Sequence, residues 1–214
     1  MSKLSIKAIH DGPLRLSIDT EEDTTENILF DSKGKSIAIK KNSILCRCGK
    51  AKHQPFCDGT HRMCGFKSAN TLNEEIIQKY EGKEINIVFN RSICSGAGNC
   101  VRNFPKIYKN ASQDWINPDG ASIDEVKNSI KQCPSGALSY ELAGESSCED
   151  YDGYKITIIK NGPINVLGKV SLHVDKWSTN AHQQKYSLCR CGASENKPFC
   201  DYTHASLNLK KYTF

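Results

Sequence analysis

The sequence predicts an α+β chain of three units, with small β-rich units at 1–75 and 148–214 flanking a small α+β unit at 76–147. Three observations carry this. First, a run of soft metal ligands, CRCGKAKHQPFCDGTH from Cys46 to His61, returns as CRCGASENKPFCDYTH from Cys189 to His204, with C-x-C-x8-C-x3-H spacing both times. Second, each run follows segments that alternate apolar and polar residues, as half-buried strands do. Third, the stretch between them has a helix start signal and a cysteine set of its own.

In chain order, Leu4, Ile6 and Ala8 share one strand face, Gly12-Pro13 makes a turn, and Leu14, Leu16 and Ile18 form a second strand. The acidic run DTEEDTTEN (19–27) reads as an exposed loop, with strand character resuming at Ile28–Phe30 and again at Ile37–Ile39. The second copy follows the same plan: Tyr154–Ile159 alternates, Gly162-Pro163 matches Gly12-Pro13, and Tyr186–Leu188 leads into Cys189. Pro13 to Cys46 spans 33 residues and Pro163 to Cys189 spans 26, a difference the loop at 19–27 can absorb, so the outer units read as an internal duplication. In the middle unit, Glu84–Phe89 is a strand candidate, Trp115-Ile116 a short strand, and Asn117–Gly120 a turn. Ser122 and Glu125 form a capping box that opens a helix burying Ile123, Val126 and Ile130 and ending near Cys133-Pro134. Ala137–Leu142 is a last strand, and the polar run at 143–153 is a linker.

Eleven cysteines in 214 residues, an odd count in clustered spacings, with no apolar leader at the start, favour reduced metal-bound thiols over disulfides. No apolar run approaches the ~18 residues of a membrane span. The expected setting is a reducing, cytoplasmic one, with no membrane partner. Net charge is +2 over 1–75, −2 over 76–150 and +5 over 151–214. The basic C-terminal third lacks an aromatic-interleaved stripe, so it reads as a solvated lysine-rich face and nucleic acid is not an expected partner.

Cys46 and Cys48, two apart on extended backbone, present both thiols to one side, while Cys57 and His61 are four apart, one turn on a helical face. Asp58 is placed to N-cap that turn. The same holds for Cys189, Cys191, Cys200 and His204. These ligand types suit zinc as well as iron–sulfur chemistry. The pattern C-x-C-x2-[ST]-x3-P-x-C-D-G-[SAT]-H resembles the CDGSH iron–sulfur (NEET) family in both copies. That resemblance implies one [2Fe–2S] cluster per copy, Cys46 and Cys48 on one iron and Cys57 and His61 on the other, and likewise Cys189 and Cys191 opposite Cys200 and His204. Two positions depart from the pattern: Ala51 replaces the Ser/Thr that Ser194 supplies, and Tyr202 replaces the glycine present as Gly59. The first departure suggests a hydroxyl lost near a cluster sulfur.

Cys94, Cys100 and Cys133 follow C-x5-C-x32-C-P. This is similar to a ferredoxin of the divergent single-cluster [4Fe–4S] type, with Ala97 where the run C-x2-C-x2-C has its central thiolate. Three thiolates fit a [3Fe–4S] cluster, or a [4Fe–4S] cluster with a non-cysteine fourth ligand; a ferredoxin-shaped remnant without metal is the alternative. Cys64 aligns with Leu207 and reads as a core residue. Cys148, in the linker, is a free thiol or a remote fourth ligand. His53 aligns with Asn196, and His10, His173 and His182 have no ligand-spaced partners.

No Gly-rich phosphate loop, HExxH or framed nucleophile is present, so an enzyme is not expected. The expectation is an iron–sulfur protein for electron transfer or cluster transfer, with two [2Fe–2S] clusters and a [3Fe–4S] or [4Fe–4S] cluster. Its partner would be a redox or cluster-acceptor protein, and the chain a monomer pairing its own two CDGSH units. The competing reading is a zinc-stapled module binding an acidic protein or nucleic acid.

Overall fold

The structure, a computed structural model, describes residues 4–19, 24–109, 114–143, 145–146 and 150–207. In chain order its elements are β1 (Leu4–Ala8), β2 (Leu14–Ile18), β3 (Thr24–Asp31), β4 (Ser36–Lys40), β5 (Asn42–Leu45), β6 (Ile77–Tyr80), β7 (Asn86–Asn90), α1 (Asn99–Asn103), α2 (Ile123–Lys131), β8 (Leu138–Leu142), β9 (Glu145–Ser146), β10 (Tyr154–Ile158), β11 (Ile164–Gly168), β12 (Ser171–His173) and β13 (Lys185–Leu188). The β-rich character of the outer units follows from their alternation: Leu4, Ile6, Leu14 and Leu16 in one copy, and Ile156, Ile158, Ile164 and Val166 in the other, are all buried. Each such side chain contributes roughly 1.5–3 kcal/mol by leaving water.

The two outer units are interleaved. One sheet runs β12-β1-β2-β5 and the other β13-β11-β10-β3-β4. Within each copy the first hairpin and the strand leading to the metal motif pair antiparallel. Each copy then lends a strand to the other: β12 lies parallel to β1, and β3 lies parallel to β10. The exchange is reciprocal, as in a symmetric dimer, but within one chain. The hairpin turns match atom for atom, Ile9 N–H donating to Pro13 O and Ile159 N–H to Pro163 O, each at 3.0 Å.

The acidic run at 19–27 is only in part a loop. Residues 20–23 lie outside the described set, and β3 already begins at Thr24, where it pairs with Lys40 of β4. The length difference between the copies is therefore a β3–β4 hairpin in the first copy standing where the second has β12 alone. Strands β6 and β12 had no sequence signal, because β6 is largely exposed and β12 is three residues long.

The third sheet, β6-β7-β8-β9, packs α2 through Val126 and Ile130, with Ile123 only partly buried. Ser122 caps α2, its Oγ accepting from Glu125 N–H at 3.3 Å. This middle unit is bolted to the second outer unit. The Lys185 ammonium, buried on β13, donates to the carbonyls of Ile130 and Lys131 at the C-terminal end of α2, where a cation complements the helix dipole. Asn90 Nδ2 donates to Thr179 O, and Asn196 Nδ2 to Ser92 O.

Candidate metal centres

Strands β5 and β13 deliver Cys46 and Cys189 into loops of the same build. Cys46 N–H donates to Pro55 O and Cys57 N–H to Ile44 O; Cys189 N–H donates to Pro198 O and Cys200 N–H to Ser187 O. Pro55 and Pro198 both follow cis peptide bonds. The loops thus fold back on their own strands, and the third cysteine returns beside the first two.

The donors meet in twos. Cys46 Sγ and Cys48 Sγ lie 3.8 Å apart, and Cys189 Sγ and Cys191 Sγ 3.6 Å. Cys57 Sγ stands 3.3 Å from His61 Nδ1, and Cys200 Sγ 3.4 Å from His204 Nδ1. Metal–sulfur bonds of about 2.3 Å at tetrahedral angles set an S···S edge of about 3.8 Å, and an S···N edge of about 3.5 Å. Each pair therefore suits one metal ion, and the residues present fit a two-iron group held at two ends.

Protonation follows the same geometry. The hydrogen bond with Cys48 pulls the Cys46 thiol down to about 6 against the upward push of burial, helped by the N–H groups of Ala51, Gly49 and Cys48. Cys48 is driven up by the same partner and by burial. Cys189 is likewise lowered to about 6 by Cys191, which is itself raised. One thiolate per pair forms readily, and a second negative charge needs a bound cation. Burial raises Cys57 and Cys200 and lowers His204.

Cys57 and His61 are not on an α-helix. A single 3-10 turn, Thr60–Arg62, follows Gly59 in left-handed geometry (φ 87°), and that reversal brings the imidazole back to the thiol. Gly59 is the N-cap position; Asp58 accepts instead from Thr60 N–H (3.0 Å) and Lys52 N–H (2.8 Å), tying turn to loop. Asp201 does the same for Thr203 and Glu195. Tyr202 adopts the conformation of Gly59, with φ 76°, which costs a residue with a Cβ about 1–2 kcal/mol. Ser194 Oγ donates to Phe199 O (2.7 Å) and accepts from Asn196 N–H (3.1 Å). Its hydroxyl braces the loop rather than reaching a sulfur, and that brace is what Ala51 lacks.

The two centres share a wall. Cys48 and Cys191 form an isolated antiparallel bridge. A Cβ on Gly49 would lie 2.6 Å from Cys191 O, and one on Gly192 2.7 Å from Cys48 O. Arg190, fully buried, donates to Gly162 O and Ile159 O of its own hairpin turn and across to Gln54 Oε1. Arg47 donates to Ile9 O, and burial lowers its pKa against the opposing pull of Cys189 and Asp11.

In the middle unit, Cys94 follows the 3-10 turn Arg91–Ile93, Cys100 sits in α1, and Cys133 follows α2. Gly96 and Gly98, at φ 68° and 70°, curl the loop between Cys94 and Cys100. Asn99 Nδ2 and Asn103 Nδ2 donate to Gln132, one residue before Cys133, holding α1 to the end of α2. The three cysteines lie within one another's fields: burial raises Cys94 to about 11, with Cys133 and Cys100 adding to it, and burial and then Cys133 raise Cys100. Three such thiols fit a cluster of three or four irons.

Cys64 is exposed, contrary to the core position expected, and the aligned Leu207 is exposed as well, so its apolar character did not mark a buried position. Cys148 lies outside the described residues. His53 is exposed, whereas its counterpart Asn196 is buried and bonded to Asn70, Ser92 and Ser178. No sequence signal pointed to Arg47 and Arg190, whose partners lie 28–136 residues away.

The family model described as "Iron-binding zinc finger CDGSH type" matches residues 11–62 and 161–205. The one described as "Divergent 4Fe-4S mono-cluster" matches residues 80–143. Two curated relatives, both titled "Uncharacterized protein YjdI", from Escherichia coli K12 and O157:H7, are each 43% identical over 61 residues, covering 28% of this chain and 80% of the relative. No solved structure matches. With its ligand runs falling inside the matched segments, the chain belongs to the CDGSH-type iron-binding family, carrying two CDGSH units on either side of a divergent 4Fe-4S mono-cluster domain.

Proposed function

We propose that this protein is an electron carrier with three iron–sulfur centres. Two are [2Fe–2S] clusters, held by Cys46, Cys48, Cys57 and His61 and by Cys189, Cys191, Cys200 and His204. The third, a [3Fe–4S] or [4Fe–4S] cluster, is held by Cys94, Cys100 and Cys133 in a ferredoxin-like unit. The pairing of donors carries this reading. Each outer site splits into a Cys/Cys and a Cys/His pair, each at the edge length of one metal's coordination shell. A structural zinc ion needs four convergent donors, whereas a two-iron cluster needs two donors at each end. When bound, such clusters take up and release single electrons.

The chain's own residues set the conditions. The N–H groups of Gly49 and Ala51, and of Gly192 and Ser194, neutralise thiolate charge. His61 and His204 replace a thiolate by a neutral ligand, which favours reduction. The reciprocal strand exchange lets one chain assemble both outer sites, so the working form is a monomer in a reducing compartment such as the cytoplasm. Among the described residues no helix is long and apolar enough to cross a membrane. The partner is a redox protein, and electron transfer is favoured over cluster delivery because the centres are built against one another.

Anaerobic purification tests this. The protein should be red-brown, bleach on reduction, and carry about seven or eight iron atoms and about eight sulfides per chain. A colourless preparation holding about two zinc ions refutes it and favours the zinc-stapled module.

A further inference from the structure

We propose that the second CDGSH centre is the internal relay of the chain, joined to the middle centre through the ring of Tyr202, which acts as a positioning residue. This rests on the electron-carrier reading above. Tyr202 breaks the family pattern, standing where the first copy has Gly59. Tyr202 holds a left-handed backbone that suits glycine (φ 76°), so something other than backbone preference keeps a large side chain there. Its ring lies between two ligand cradles. On one side it stands edge-on to the His204 imidazole, with centroids 5.5 Å apart and planes at 88°. On the other it covers Gly96, at the centre of the loop between Cys94 and Cys100, so closely that a Cβ on Gly96 would overlap Cδ2 and Cε2 of the ring.

The contact is reinforced at its rim. Arg91, three residues before Cys94, places its guanidinium over the Tyr202 ring at 6.0 Å and donates through Nη1 to Asp201 O at 3.1 Å. Asn196 and Lys185 add the bonds to Ser92 O and to the end of α2 described above. On its other flank the second centre meets the first through the Cys48–Cys191 bridge. The order is therefore middle, second, first.

With clusters bound, Cys94, Cys100 and Cys133 would hold the centre that gives up an electron, Cys200 and His204 would hold the accepting side of the second, and the paired C-x-C loops would lie on the path to the first. One electron moves at each step, no bond is made or broken, and the external donor and acceptor are one-electron redox proteins. The ring, its outer edge open to solvent, takes up space between the two cradles that water would otherwise fill, so each centre would respond more strongly to the charge of its neighbour.

The test is a potentiometric titration, followed by electron paramagnetic resonance, of the cluster-loaded full chain and its Tyr202→Gly, Tyr202→Phe and Cys94→Ala/Cys100→Ala variants. His61→Cys and His204→Cys assign the two outer signals. Tyr202→Gly restores the family residue and relieves the backbone, so it should fold. Admitting water to the gap should favour reduction of the second centre by about tenfold in equilibrium constant, or about 59 mV for one electron, with the first centre unmoved. Tyr202→Phe should behave as wild type, and loss of the middle site should shift the second centre alone. A second-centre potential unchanged in Tyr202→Gly, or both outer centres shifting equally, overturns the relay. Iron-loaded protein with no selective shift defeats this inference only; a zinc-loaded protein defeats the electron-carrier reading as well.

Discussion

Replacing Gly49 by alanine probes the wall between the two outer centres. Gly49 has φ 73°, and a Cβ there would sit 2.6 Å from Cys191 O and 3.0 Å from its C and Cα. Two costs combine. The left-handed backbone penalises any residue with a Cβ by about 1 kcal/mol or more, and relieving a contact with backbone atoms requires the two C-x-C loops to part, at about 1–3 kcal/mol. Gly34 is the control, because its φ is 82° but a Cβ there meets nothing within 4 Å. Gly34→Ala should therefore cost about 1 kcal/mol, or roughly 2–4 °C in Tm for a chain of this size, and Gly49→Ala about 3 kcal/mol, or roughly 6–12 °C. Gly192→Ala, facing Cys48 O at 2.7 Å, should match Gly49→Ala. The assay is thermal unfolding of the cluster-loaded protein followed by circular dichroism and by visible absorbance. Equal losses for Gly34→Ala and Gly49→Ala would refute the apposition of the two loops within one chain.

Other changes have equally definite outcomes. His61→Cys restores a thiolate, so the first centre should become harder to reduce and more resistant to acid bleaching while the second is unaffected; titration of both signals checks this. Ser194→Ala strands the buried Asn196 N–H and Phe199 O that its hydroxyl serves, so it should cost about 1–3 kcal/mol in chemical denaturation. Asp11 is held down to about 2 by the Lys67 side chain and the Ser68 N–H. A carboxylate lowered on folding stabilises fully above its unfolded value of about 3.9 and loses that contribution as pH falls toward 2. Asp11→Asn should therefore lower stability at neutral pH and flatten the acid limb over that window, the variant and wild type converging as pH falls toward 2, as seen in unfolding midpoints at pH 2–7.

Local spacing was enough to pick out the outer candidate donor pairs that the structure sets 3.3–3.8 Å apart, because C-x-C and C-x3-H place side chains together through backbone geometry within a few residues. Strand alternation identified the buried faces of β1, β2 and β10, and the Ser122 capping box located the start of α2. Comparing the copies position by position set aside His53 and singled out Ala51 and Tyr202. What depends on contacts between residues far apart in the chain could not be read in this way. The exchange of β3 and β12 between units is long-range pairing with no mark in either strand, and the exposed β6 carries no alternation. Cys64 lies on the surface, and so does its counterpart Leu207, because an apolar side chain at one aligned position does not by itself mark a buried one. The chain's own order therefore defined three sets of ligands as separate motifs. Only the tertiary structure set the C-x-C loops back to back and laid Tyr202 over Gly96, because both depend on chain segments about 100 residues or more apart meeting in space.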